Sequence, residues 1–192
     1  NNFEIKSIYS IEASPSTFNN LHIVVNSIRK KFHQANIKIF NFGVGNSSKK
    51  SIFYELPDSN SSTFNIVDRN SSYYKKKEKI LSFFLLKNDK TIKEIEVPQI
   101  KLSEFIKKNK IINIDILKID TEGYELEVLK GLEQEISMIK FIYFEHHYDN
   151  MIKKNYKYSD INDYLKIKGF HKVFKIKMPL RKSFDYIYKK TI

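Results

Sequence analysis

The chain has no cysteine and no tryptophan among its 192 residues, and it has only five glycines and four prolines. The lack of cysteine excludes disulfides, thiolate metal ligands and a cysteine nucleophile. Nothing in the composition marks a flexible linker, so we expect residues 1–192 to form a single domain. There is no run of 18 apolar residues, and the N-terminal residues lack the basic-then-apolar layout of a signal peptide. We therefore expect a cytoplasmic protein without a membrane span.

Arginine is also scarce. The formal net charge is +12, but only three of the 34 basic residues are arginines (Arg29, Arg69 and Arg181). Readers of phosphates and bases depend on the planar guanidinium group, so nucleic acid is an unfavoured partner. Residues 151–192 hold 12 basic and three acidic side chains, which is nine of the twelve net charges. This basic tail is either a solvated face or a surface for an anionic substrate.

Hydrophobic periodicity predicts strands and helices that alternate through much of the chain. Strands are expected at 7–11, 37–44, 51–56, 80–86, 91–97, 111–119, 138–144, 172–177 and 184–188. Helices are expected after a cap at Ser16 or Thr17, after a cap at Ser103, at 125–134, and at 161–167 with an end at Gly169. We expect 51–56 to pair with 37–44 as a hairpin, Pro98 to end the strand at 91–97, and 57–78 to be a mobile surface loop.

The strand at 111–119 is apolar at nearly every position, which favours burial on both faces of a parallel sheet. Alternating strands and helices around such a strand predict a doubly wound α/β domain.

Acidic residues follow three of the predicted strands. Glu12 follows the first strand, Asp120 and Glu122 follow the apolar strand, and Glu145 follows the next one. Ligands bind at the carboxyl ends of the strands in open parallel sheets, and an acid at such a position can accept both hydroxyls of a ribose. A helix N-terminal charge or an ordinary surface residue is the alternative for any one of these acids.

The turn after the apolar strand and the histidine pair after Glu145 carry the remaining candidates. Gly123 permits a tight turn, and Lys118 is expected to pair with Asp120 or to extend to an edge. His146 and His147 point to opposite faces of a strand, so at most one faces a given cleft, where it could act as a base. A metal held by Glu145 and His147 is a weak alternative, and no residue pattern requires a metal.

The stretch that starts at Ile114, IDILKIDTEGYELEVLKG, resembles the signature of FkbM-type methyltransferases, which use S-adenosylmethionine. Further stretches resemble that family in the same order along the chain: 10–18, 41–46, 100–106 and 142–145. The resemblance covers residues 1 to about 150. It implies a Rossmann-like, doubly wound and mostly parallel sheet of the class I methyltransferase type, with O-methylation of a sugar or another small polar acceptor.

The resemblance also implies roles for individual residues. Glu12 would accept the ribose hydroxyls of the methyl donor, and Gly45 and Asn46 would lie beside its adenine. Asp120 would lie near the sulfonium and the acceptor, and Glu122 would line the same cleft. Glu145 and His146 would lie on the acceptor side, where a base could take the hydroxyl proton.

One departure from the family concerns its first strand and the glycine-rich turn that binds the methionine part of the donor. Neither is present here, since none of the five glycines precedes Glu12. The absent strand is central in this topology, so we expect a split sheet with unpaired edges on both sides and interpret the chain as a fragment.

Two readings from other classes stay open. A catalytically inactive α/β module of a larger glycan- or lipid-modifying protein could use the cleft for binding alone. A nucleic-acid binder would show a strong salt dependence. If the acceptor is anionic, such as a phosphorylated sugar, Lys172, Lys175, Lys177 and Arg181 would suit it.

Overall fold

The structure is a computed structural model that describes residues 5–31, 36–57, 61–84, 91–179 and 181–191. The strands are β1 (Ser7–Glu12), β2 (Asn36–Asn41), β3 (Gly43–Gly45), β4 (Lys49–Glu55), β5 (Lys93–Lys101), β6 (Ile114–Ile119), β7 (Ile139–His147), β8 (Phe170–Lys177) and β9 (Ser183–Lys190). The helices are α1 (Pro15–Lys31), α2 (Ser72–Phe84), α3 (Leu102–Lys108), α4 (Glu125–Lys130) and α5 (Tyr158–Ile167), with a 3₁₀ turn at Glu133–Met138.

The described strands form three sheets. β1 pairs with β2 in parallel, the second sheet has the order β3-β5-β4, and the third has the order β6-β7-β9-β8. β6 and β7 are parallel, whereas β9 is antiparallel to both β7 and β8. The α/β class is therefore confirmed, but the described residues form mixed sheets and not one mostly parallel, doubly wound sheet.

The split sheet expected from the sequence is present in the part of the chain that the structure describes. There, β1 pairs only with β2 and β6 only with β7. The prediction that β6 is buried on both faces is wrong, because Ile116 is 66% exposed. A strand at the edge of a sheet loses the cover that a neighbour on each side would give.

The main core lies between the four-stranded sheet and the helices α3, α4 and α5. Its fully buried side chains include Leu129, Leu132, Ile142, Phe144, Ile161, Leu165, Tyr186 and Tyr188. A second cluster joins the 61–71 segment to the chain after β7, and contains Leu56, Val67, Ile92, Met151 and Ile152.

The cap of α1 lies two or three residues before the predicted positions. Ser14, not Ser16 or Thr17, caps this helix, because its hydroxyl accepts the backbone N–H of Thr17 at 3.1 Å. Pro15 then takes the first helical position, where its missing N–H costs nothing.

The 57–78 stretch is not a mobile loop over its described residues, and 80–84 is helix, not strand. Val67 forms a bridge with Ile152, and the N–H of Asp68 donates to the Met151 carbonyl at 2.7 Å. Ser71 caps α2 by accepting the N–H of Tyr74 at 3.2 Å. The lysine-rich run then continues as helix, which lysine favours. Residues 58–60 and 85–86 of these two predictions lie outside the described residues.

The end of one predicted strand and the partner of another also differ from the prediction. The strand β5 continues through Pro98, because the pairs of Val97 with Ser51 and of Gln99 with Lys49 hold the ladder on either side. Consequently β4 pairs with β5 and not with β2 as a hairpin.

Ser103 does not cap α3, which has no side-chain cap, and its hydroxyl donates to Glu133 at 3.1 Å. The helix predicted at 125–134 ends at Lys130 and is followed by the 3₁₀ turn. The end of α5 is as predicted, with Gly169 in the left-handed region at φ 79°. None of the described helices is long and apolar enough to cross a lipid bilayer.

Candidate functional site

The turn between β6 and α4 positions two of the predicted acids. Gly123 has φ 90°, as expected for a tight turn, and Glu122 before it has φ 49°, which is unusual for a residue with a side chain. Two side chains from the 61–71 segment fix this geometry. The Thr63 hydroxyl donates to the Glu122 carbonyl at 2.8 Å, and the Asn65 amide donates to the Gly123 carbonyl at 2.5 Å. Backbone strain that is held in place by such contacts is typical of functional sites.

Glu125 braces the same turn from the first position of α4. Its carboxylate is fully buried and accepts the Gly123 N–H at 2.7 Å and the Tyr156 hydroxyl. Burial raises the pKa of Glu125, while the hydrogen bonds from Tyr156 and Gly123 lower it in part. We assign Glu125 a structural role, because both of these partners belong to the protein.

A buried imidazole lies among three carboxylates beside this turn. His147 Nε2 is 3.3 Å from Glu122 Oε2 and 3.4 Å from Glu145 Oε1, and its Nδ1 is 3.4 Å from Asp149 Oδ2. All four side chains are at most 12% exposed. The sequence brings three of them together because Glu145, His147 and Asp149 alternate along β7 and its extension.

The pKa values of this cluster reflect burial and charge together. Burial raises the pKa of Glu122 to about 7; the charge of His147 opposes this rise and that of Asp120 adds to it. Burial lowers the pKa of His147, but the Asp149 hydrogen bond and the nearby Glu122 and Glu145 charges outweigh burial, so the net shift is upward. Burial tends to raise the pKa of Asp149, yet the His147 and Met151 N–H donors bring it below its ordinary value.

Glu122 and His147 line a cavity of about 670 Å³. This volume lies within the range of small-molecule sites in proteins. The walls come from α2, from the chain after β7, and from the turn between β8 and β9; the lining residues used below are Tyr73, Lys76, Lys77, Lys177, Arg181 and Lys182.

Glu12 and Asp120 lie at the carboxyl ends of β1 and β6. Burial raises the pKa of Glu12, the N–H of Ser14, which donates to Glu12 at 2.8 Å, opposes this rise, and the nearby charges of Glu55 and Asp120 add to it. Lys118 pairs with Asp120 at 2.7 Å, as the sequence predicts. The charge of Asp120 also raises the pKa of Glu122. The turn after β6, which carries Asp120, therefore lies close both to Glu12 and to the cavity.

Gly45 and Asn46 contact α4 and its C-terminal end. A Cβ on Gly131 would lie 1.9 Å from the Gly45 carbonyl oxygen, so these two backbones touch. The Asn46 amide donates to the Glu127 carboxylate. The binding of adenine by Gly45 and Asn46 stays a prediction.

The structure places His146 away from the cavity that His147 lines. His146 lies on the opposite face of β7, 3% exposed, among the rings of Tyr148, Tyr156 and Tyr158. Burial lowers its pKa to about 3, so the ring is neutral at physiological pH. The sequence predicted that at most one of the two histidines faces a given cleft, and the resemblance implied His146. The structure places His147 at the cavity instead.

Two of the basic residues expected to suit an anionic acceptor lie elsewhere. Lys175 Nζ is 4.3 Å from the centroid of the Phe184 ring, and Lys172 lies over Tyr158 and Tyr186. Lys177 and Arg181, in contrast, line the cavity.

Sequence reasoning missed Asp149, the choice of His147, and the α2 side chains Tyr73, Lys76 and Lys77. The spacing of Glu145, His147 and Asp149 by two residues was a usable signal, because it places the three on one strand face. The cap residue Ser71 was the corresponding signal for α2.

Comparison with known protein families identifies the family of this chain. The family model described as the methyltransferase FkbM domain matches residues 2–172. The chain belongs to the FkbM methyltransferase family. The match includes the turn after β6, the acids at the ends of β1 and β7, and His147, while the lining residues Lys177, Arg181 and Lys182 lie beyond it. Neither the search of curated proteins nor the search of solved structures gave a significant match.

Proposed function

We propose that this FkbM domain transfers a methyl group from S-adenosylmethionine to a hydroxyl of a sugar or another small polar acceptor bound in the cavity. The observation that carries the proposal is the position of Glu122, which lines the cavity beside His147 and has a pKa raised to about 7. A general base works best when its pKa lies near the operating pH.

The methyl donor fits the residues at the ends of β1 and β6. Glu12 is partly buried, and the Ser14 N–H fixes one of its oxygens, so it would hold the ribose hydroxyls. Asp120 would lie beside the reacting centre, two residues from Glu122. When bound, the donor supplies an electrophilic methyl carbon. The described residues include no glycine-rich turn for its methionine part, because the chain's five glycines lie in β3, after β6, after α4 and after α5.

The protein's own groups handle the acceptor and its proton. The walls of the cavity hold the hydroxyl oxygen in line for displacement, and this alignment is the main source of the rate. The Glu122 carboxylate takes the hydroxyl proton as the new C–O bond forms. His147, held through Nδ1 by Asp149, stabilises the Glu122 charge before transfer. We therefore assign the role of general base to Glu122, supported by His147, and not to His146.

The test starts with the methyl donor. Calorimetric titration of the full chain with S-adenosylmethionine should give binding that E12Q weakens by about tenfold or more, since a carboxylate hydrogen-bonded to hydroxyls is lost. The matched control E96Q makes the same charge change on exposed β5 and should bind as the parent does. Incubation with methyl-tritiated donor and a panel of sugars and polyols should then label an acceptor. Folded protein that does not bind the donor would overturn the proposal and favour a cleft used for binding alone.

A further inference from the structure

The cavity beside Glu122 is lined by an excess of cations. Lys76 and Lys77 come from α2, Lys177 from the end of β8, and Arg181 and Lys182 from the turn before β9. Among the described residues that line the cavity, Glu122 is the one carboxylate, against these five cations. Even when Glu122 is ionised, its single negative charge leaves most of this positive charge unbalanced.

Arg181 is one of these cations, and its charge environment is defined by a neighbouring carboxylate. Arg181 is half exposed, and its Nη1 lies 4.0 Å from Glu145 Oε1, beyond hydrogen-bond distance. This separation leaves the guanidinium donors of Arg181 without a close hydrogen bond to Glu145.

The backbone holds the segments that carry these cations in place. The Lys182 carbonyl accepts the Tyr148 N–H at 2.7 Å, which ties the turn before β9 to the end of β7. Ser71 anchors the start of α2 through its N–H to Asp68 at 3.2 Å, and Asp68 in turn donates to Met151. Anchored backbone segments lower the cost of ordering the site when an anion binds.

We propose that the acceptor bound in this cavity is anionic: a hydroxylated small molecule with a phosphate ester that Arg181 and the lysines bind while its hydroxyl faces Glu122. The inference rests on the proposed methyltransferase function and names its substrate class. A guanidinium group binds phosphate oxygens through two parallel N–H donors, and lysines add point charges around them. A concave site of this volume suits a sugar phosphate.

The experiment compares glucose 6-phosphate, inorganic phosphate and neutral glucose by calorimetric titration of the full chain. Glucose 6-phosphate should bind at least about tenfold more tightly than glucose, because charge-assisted hydrogen bonds are added. The K76Q/R181Q variant should lose this difference. The control K172Q/K175Q removes the same net charge from lysines that lie over aromatic rings, and it should retain the difference.

Each outcome decides the inference. Equal affinity for glucose 6-phosphate and glucose, no binding of either phosphate compound, or equal losses in the two double variants would overturn it. Equal losses together with binding of single-stranded DNA would indicate a general polyanion surface instead. Methylation of neutral acceptors only would refute the anionic class but keep the methyltransferase. Selective phosphate binding without donor binding would keep the anion site and refute the proposed reaction.

Discussion

The Nε2 atom of His147 lies 3.3 Å from Oε2 of Glu122, and both side chains are more than nine-tenths buried. The two residues reach this position from different elements, one from the strained turn after β6 and the other from the last residue of β7. No group among the described residues makes a hydrogen bond to Glu122 Oε2. A buried carboxylate oxygen without a hydrogen bond keeps its capacity to accept one.

Replacing Glu122 should separate catalysis from donor binding. E122Q removes the proposed base at constant volume, so methyl transfer should fall by about 10² to 10⁴-fold. Affinity for S-adenosylmethionine should stay unchanged, because Glu12 and Asp120 are intact. Single-turnover methyl transfer and calorimetry measure the two quantities. Parent-like transfer by E122Q would remove Glu122 from the mechanism.

The same variant should change the pH dependence of stability. The pKa of Glu122 is about 7 in the folded protein and 4.5 for the unperturbed group. Its contribution to stability is therefore present in full below pH 4.5 and is lost as the pH rises through 7. Compared with the parent, E122Q should gain up to about 3 kcal/mol in free energy of unfolding between pH 5 and pH 8. Urea denaturation measures this gain, and the exposed control E96Q should show none.

The two adjacent histidines should behave differently when replaced. H147N removes the partner of Glu122 and should reduce methyl transfer strongly, whereas H146F should leave the rate unchanged. The folded-state pKa of His146 is about 3 against the ordinary 6.5, so its stabilising contribution is present above pH 6.5 and is lost as the pH falls toward 3. H146F should therefore reduce the stability lost between pH 7 and pH 4.5 by about 2 kcal/mol. Reversed effects on methyl transfer would assign the base to His146.

The acids at the strand ends could be predicted from the sequence because they depend only on local order. A strand that ends in Asp120 and a turn with Gly123 need no knowledge of distant residues. The alternation of Glu145 and His147 along β7 was equally local. The family resemblance added the assignment of the methyl donor to Glu12.

The rest depends on contacts between residues far apart in the chain. Lys76 and Arg181 meet at one cavity only because the 61–71 segment docks on the chain after β7. The exposure of Ile116 depends on which strands flank β6, and an apolar pattern does not report this. Apolar character at 80–84 favoured a strand, but the cap at Ser71 and the lysine run after it stabilise a helix.

Thr63 should act as a positioning residue for Glu122. Its hydroxyl donates to the Glu122 carbonyl at 2.8 Å, and T63V removes this donor at nearly constant volume. The buried carbonyl then loses its partner, which should cost about 1–3 kcal/mol of stability. The turn carrying Glu122 should also relax, so kcat should fall with little change in KM, and T63S should restore both. If T63V is destabilised but its kcat is that of the parent, Thr63 is only structural.

The close approach of Gly131 to Gly45 should make Gly131 the less replaceable of two helix-terminal glycines. Gly131 has φ −68°, which alanine adopts freely, but its Cβ would lie 1.9 Å from the Gly45 carbonyl oxygen. G131A should therefore cost about 3 kcal/mol, because one of two backbones must move. Gly169 has φ 79° and no atom within 3.4 Å of a Cβ, so G169A should cost only about 1–2 kcal/mol. Urea denaturation compares the two variants. The displaced segment carries Gly45, the last residue of β3, and Asn46 after it. G131A should therefore also weaken donor binding if these residues contact adenine, whereas G169A should not. Equal donor affinities would remove Gly45 and Asn46 from the donor site.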